Sequence, residues 1–199
     1  MMCRLCLLLV LALGLATPAA ATAKEQPDRY DIDYMYRFAQ CVVGYTRSGA
    51  EKALGEGYDD ATYSEALTRL AKGHDRCLGT RMKISGILLA GSLAEVLLRN
   101  DLKQDQLTGV LKPSDPALLA RNSLEYTALC MVLSHPAQTS ELLFSAPESK
   151  EADALIMDYA QGLPACVADG QQLRVSKLGL RAIIALAAYR IAKQNESKA

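Results

Sequence analysis

The chain contains no tryptophan and only two phenylalanines among its 199 residues, Phe38 and Phe144. Flat aromatic platforms that stack bases or sugars are therefore scarce, although nine tyrosines remain. A surplus of one charge is lacking too, since 22 Lys and Arg face 22 Asp and Glu. That balance leaves no electrostatic footprint for nucleic acid or an anionic membrane surface as partner. Histidine occurs only at His74 and His135, and the cysteines form no close C-x2-C pair, so neither a zinc site nor a dithiol redox motif is expected. G-x-S-x-G, a phosphate loop, H-E-x-x-H and a dinucleotide fingerprint are all missing. The acidic pairs Asp31/Asp33 and Asp59/Asp60 lack the alternating oxygens and glycine turn of a calcium loop and read instead as helix N-caps. No metal and no cofactor is expected.

What the chain does have begins at its start. Arg4 precedes an unbroken apolar run over residues 5–16, followed by Thr17-Pro18 and a tract of small residues. This order reads as a secretory signal peptide over residues 1–23, cut after Ala23, with a second cleavage frame after Ala21. The run is too short for a bilayer-spanning helix. Cys3 and Cys6 lie before it or at its start, where no lipid-anchor cysteine belongs. The mature chain, residues 24–199, is expected to be one soluble domain without a transmembrane anchor, periplasmic or secreted.

Four cysteines survive cleavage: Cys41, Cys77, Cys130 and Cys166. An even number in an oxidising compartment implies disulfides. Cys41 to Cys77 spans 36 positions, and so does Cys130 to Cys166. With an offset of 89, Ala39, Val43, Leu54, Ala71 and Gly73 fall on Ala128, Val132, Leu143, Ala160 and Gly162. Beyond the second cysteine of each pair the offset becomes 91, and Ser85, Leu89, Ala94 and Arg99 fall on Ser176, Leu180, Ala185 and Arg190. The pattern reads as a tandem duplication of a unit of about 90 residues, at about 30–100 and 119–193, with a linker at about 101–118. A bond inherited by both copies keeps its spacing, so the expected disulfides are Cys41–Cys77 and Cys130–Cys166.

Each unit reads as helices and the fold as all-α, a disulfide-stapled helical bundle. The first unit places Met35, Phe38, Ala39, Val42 and Val43 at helical spacing over residues 34–45, interrupted at Arg47-Ser48-Gly49. A short turn follows at 50–54, then a helix at 61–71 with Tyr63, Ala66, Leu67 and Leu70 inward, and one at 86–99 capped by Ser85. The second repeats the plan at 123–133, ended by Pro136, at 140–144 and 152–161, and in a long final helix capped by Ser176 and ending near Lys193, with a short linker helix at 104–111.

The run Cys41-Val42-Val43, the Ala53-Leu54 turn, Cys77-Leu78 and the stretch Ser85, Leu89, Leu93-Ala94-Glu95-Val96-Leu97-Leu98-Arg99 resemble uncharacterised exported bacterial proteins built from two such units. The resemblance implies export, helices and duplication, and no chemistry. Glu95 has no counterpart in the second unit, where Leu186 stands. His74-Asp75-Arg76-Cys77 offers a base, an acid and a thiol, but chain neighbours rarely converge on one reacting atom, and Cys166 has no such histidine. His135, before Pro136, reads as a solvated loop residue. Arg174, Lys177 and Arg181 form a basic row along one helix face, read as solvated surface with an acidic partner as the alternative. Function is accordingly read as a non-enzymatic binding or structural module of the cell envelope for an unknown protein or small-molecule partner, with a groove between the units. The alternatives are an envelope enzyme whose site is built from scattered Asp, Glu, Arg and Tyr, and a thiol–disulfide protein.

Overall fold

The chain's apolar spacing produces helices and nothing else among the described residues. The structure, a computed structural model, describes residues 29–55, 60–77, 85–115, 117–167 and 173–196. The expected signal peptide and Asp59 lie outside them. In the first half, α1 (Arg29–Gly55) buries Met35, Phe38, Ala39, Val42 and Val43, then Ala50, Ala53 and Leu54. The expected break at 47–49 is a kink instead: Thr46 alone leaves helical geometry (φ −149°, ψ 74°) and the helix resumes at once. Arg47 and Ser48 are polar because they are exposed, not because they form a loop. Helix α2 (Asp60–Gly73) turns Ala66, Leu67 and Leu70 inward, and α3 (Gly86–Asp101) is buried on most of its circumference.

The linker carries α4 (Gln104–Val110), within the stretch where a short helix is expected. In the second half, α5 (Ser123–Ser134) ends as Pro136 dictates, but the same proline opens α6 (Pro136–Phe144). Proline at the first helical position removes a donor that has no partner there, so it starts a helix as readily as it stops one. The expected turn at 140–144 is thus the end of a nine-residue helix. Then come α7 (Lys150–Tyr159), a 3₁₀ turn (Ala160–Gly162), the single turn α8 (Leu163–Cys166) and α9 (Lys177–Glu196). Helix α1 starts ahead of Asp31 and Asp33, so neither is the expected N-cap; Asp33 accepts from Arg37 one turn on, at 2.9 Å.

Both disulfides join the expected partners. Cys41–Cys77 ties α1 to the 3₁₀ turn Asp75–Cys77 with Cα atoms 5.7 Å apart, and Cys130–Cys166 ties α5 to α8 at 5.6 Å. Element bounds keep the offsets read from sequence. Gly55 and Phe144, 89 positions apart, end α1 and α6, while Gly86 and Lys177, 91 apart, open α3 and α9. The α1 kink at Thr46 falls on His135 between α5 and α6, whose dihedrals (φ −132°, ψ 55°) resemble those of Thr46.

The core is centred on α3 against α9, flanked by α1 on α3 and α5 on α9. Leu89 and Leu180 are both buried in it. The crossing is close because Gly91 carries no side chain: a Cβ there would stand 2.5 Å from the Ala182 Cβ and 2.6 Å from its carbonyl oxygen. Gly91 and Ala182 are themselves 91 positions apart, so corresponding residues of the two helices touch.

Candidate functional site

The tetrad His74-Asp75-Arg76-Cys77 does not form a nucleophilic site. Cys77 is held in the disulfide, and His74 Nδ1 lies 2.9 Å from the Leu70 carbonyl, one helical turn back. His135 is not a solvated loop residue either. It is the hinge between α5 and α6, half-buried, with its ring edge-on to Tyr159 at 5.9 Å. The Thr139 hydroxyl bonds the His135 carbonyl at 2.9 Å and the Tyr159 hydroxyl at 2.8 Å, and burial pushes the Tyr159 pKa up. Among the described residues no group of three or more His, Cys, Asp or Glu could hold a metal ion, and no helix is long and apolar enough to cross a membrane.

The basic row is corrected as well. Arg174 is exposed and Lys177 half-buried, but Arg181 is only 6 % exposed. Its turn of α9 faces α3, where it meets Glu95, 3 % exposed. Arg181 Nε donates to Glu95 Oε2 at 2.9 Å and its terminal nitrogen to Oε1 at 2.8 Å. Arg99 reaches the same Oε1 at 2.8 Å and lies over the Tyr36 ring. Two guanidiniums on one carboxylate leave a positive surplus, and the C-terminal end of α6 meets it. Arg99 donates to the carbonyls of Leu143 (2.6 Å) and Ser145 (2.5 Å), and Arg181 also donates to Ser145 (2.9 Å). A helix C-terminus supplies unpaired carbonyls and negative potential, the complement such a surplus needs. Burial raises the Tyr36 pKa, with Arg99 opposing. Glu95 and Arg181 are buried and come from α3 and α9, so the cluster fastens the two halves.

Room exists elsewhere in the same interface. A pocket of about 260 Å3 opens between the halves, walled by Tyr63, Ser64 and Leu67 of α2 and by Leu124, Glu125 and Ala128 of α5. Ile183, Leu186 and Ala187 of α9 and Gly86 and Ile87 of α3 complete it. Leu67, Ala128, Ile183 and Ala187 are buried, whereas Ser64, Ile87 and Asn122 reach the surface, so the interior is apolar and the mouth mixed. At its polar end Asn122 caps α5 by accepting from the Glu125 N–H at 2.9 Å. Glu125 takes the Arg121 N–H at 2.8 Å, the Arg121 guanidinium at 3.1 Å and the Arg190 guanidinium. Sequence reading missed these residues because they are ordinary types, gathered from four helices far apart in the chain. Of the lining set it named Tyr63 and Leu67 as core and Ala128 and Leu186 as repeat positions, and none as part of a site. No protein-family model, curated protein or solved structure matches this chain, so the site stands on its own residues.

Proposed function

We propose that this is an exported, non-enzymatic binding protein of the cell envelope, built from two copies of one disulfide-stapled helical unit, and that its ligand occupies the pocket between them. The duplication rests on the paired cysteine spacings and on helix bounds that fall at the same offsets. Export rests on the signal-like residues 1–23, with disulfides and the absence of a membrane-spanning helix among the described residues in keeping. Kinship with uncharacterised exported bacterial proteins of two such units belongs to the same reading. The observation that carries the function is the pocket itself: an apolar cavity with a few convergent polar groups is the usual form of a small-ligand site. Its volume lies just below the roughly 300–1,000 Å3 typical of drug-sized ligands, so the ligand is small.

The neutral fluorophore N-phenyl-1-naphthylamine tests this reading. One molecule is expected to bind per chain with enhanced fluorescence. Ala128→Leu and Ser64→Leu, which fill the pocket from opposite walls, are expected to abolish binding while thermal unfolding shows the fold retained. No binding to the wild type, or undiminished binding to the folded double variant, refutes the reading.

A further inference from the structure

The charged groups at the end of the pocket are turned on one another, which indicates what the pocket accepts. Glu125 holds the Arg121 guanidinium at 3.1 Å together with that of Arg190, and none of the three side chains is more than 20 % exposed. Arg190 also donates to the Leu119 carbonyl at 3.4 Å, and the Arg121 Nε and the terminal nitrogen facing Glu125 are buried from solvent. Atoms that water cannot touch meet a ligand only by giving up the contacts they already have. Asn122 commits its side-chain oxygen to the start of α5. Every other described residue of the wall is uncharged.

That wall is uncharged where the other half of the chain is charged. Lining residues have counterparts 89 or 91 positions away: Ser64 in Asp153, Gly86 in Lys177 and Leu186 in Glu95, with Ala90 of α3 in Arg181. In the cleft that these counterparts form, Glu95 pairs with Arg181 at 2.9 and 2.8 Å and Lys177 stands 3.8 Å from Asp153. The pocket has leucine, alanine, glycine and serine instead. An ion carried into it loses its water and gains no counter-charge, at a cost far above that of a neutral hydroxyl. Resting on the reading of this pocket as the binding site, we propose that its ligand is a small uncharged molecule. Its hydrocarbon body lies against Leu67, Ile183 and Leu186, and its polar group stands at the mouth beside Ser64 and Asn122.

Displacement of bound N-phenyl-1-naphthylamine from the intact mature protein at neutral pH, by octan-1-ol, octanoate and octylammonium in turn, separates this proposal from the one before. The three share a chain length and differ in charge. Octan-1-ol is expected to displace the dye at a concentration roughly tenfold or more below that needed for either ion. Leu186→Glu, which sets a carboxylate in the wall as Glu95 does in the other half, is expected to bring octylammonium to the level of the alcohol or beyond while octanoate stays weakest. If either ion matches or outdoes octan-1-ol on the wild type, the uncharged ligand is wrong and the pocket reading stands. If none of the three displaces the dye, the pocket reading itself fails. The wild-type ranking decides the matter even should Leu186→Glu not fold.

Discussion

At the scale of single residues, the most consequential group is Glu95. It is buried between two arginines, and its removal leaves buried Arg181 and half-buried Arg99 without that carboxylate. Breaking a buried pair from one side typically costs about 3–5 kcal/mol, while replacing both partners by apolar groups costs much less. Glu95→Gln is therefore expected to lower unfolding free energy in urea by about 3 kcal/mol or more. The double change Glu95→Leu with Arg181→Ala, which copies Leu186 and Ala90 from the other cleft, is expected to be less harmful than the single one. A Glu95→Gln loss below about 1 kcal/mol would show that the α6 carbonyls alone hold the arginines. Tyr189 gives a second test. Burial pushes its pKa from 10 up to about 12, with Lys193 opposing. The unfolded chain then deprotonates first, so the stabilising effect is complete below about pH 10 and lost as pH rises through about 12. Tyr189→Phe should flatten the decline of stability between those pH values, measured by urea unfolding at each; an unchanged slope would mean the hydroxyl is not shielded. Neither residue was legible as a structural centre in the sequence. Arg181 shared a row with Arg174 and Lys177, and only the crossing partner decides which member of such a row is buried.

At the scale of elements, periodicity did most of the work. The stripes of α1, α2 and α3 are where apolar spacing places them, because helical burial at every third or fourth position writes itself into composition. The misreadings cluster at helix joints. Residues 47–49 look like a loop yet continue a helix past one kinked residue, and Pro136 both stops α5 and starts α6. A joint that turns the chain within one residue leaves little trace in sequence. The tightest element contact has the opposite character, since one glycine decides it. Alanine favours a helix interior over glycine by about 1 kcal/mol, but a Cβ at Gly91 runs into the Ala182 backbone. Overpacking of that kind costs about 1–3 kcal/mol. Gly91→Ala is thus expected to destabilise, whereas Gly44→Ala on the exposed face of α1, with nothing within 4 Å of the new Cβ, should stabilise by about 0.5–1 kcal/mol. Equal effects at the two sites in thermal unfolding would contradict the close crossing.

For the whole molecule, two stapled halves share one core. Each disulfide closes a separation of 36 residues, and the chain-entropy model assigns about 3–4 kcal/mol to a loop of that length. Cys41→Ser with Cys77→Ser, and Cys130→Ser with Cys166→Ser, are expected to lower stability by similar amounts; no change in urea midpoint for either pair would show that packing alone orders that half. The pairing was legible because two equal spacings select one connectivity out of three. The pocket was not, because its walls come from both halves and only packing brings them together. That junction also offers the most direct test of a ligand site shared by the halves. With N-phenyl-1-naphthylamine bound to methyl-labelled protein, intermolecular nuclear Overhauser effects are expected at once from Leu67 and Ile87 of the first half and from Leu124, Ile183 and Leu186 of the second. Effects confined to one half, or directed at the cleft sealed by Glu95 and Arg181, would contradict it.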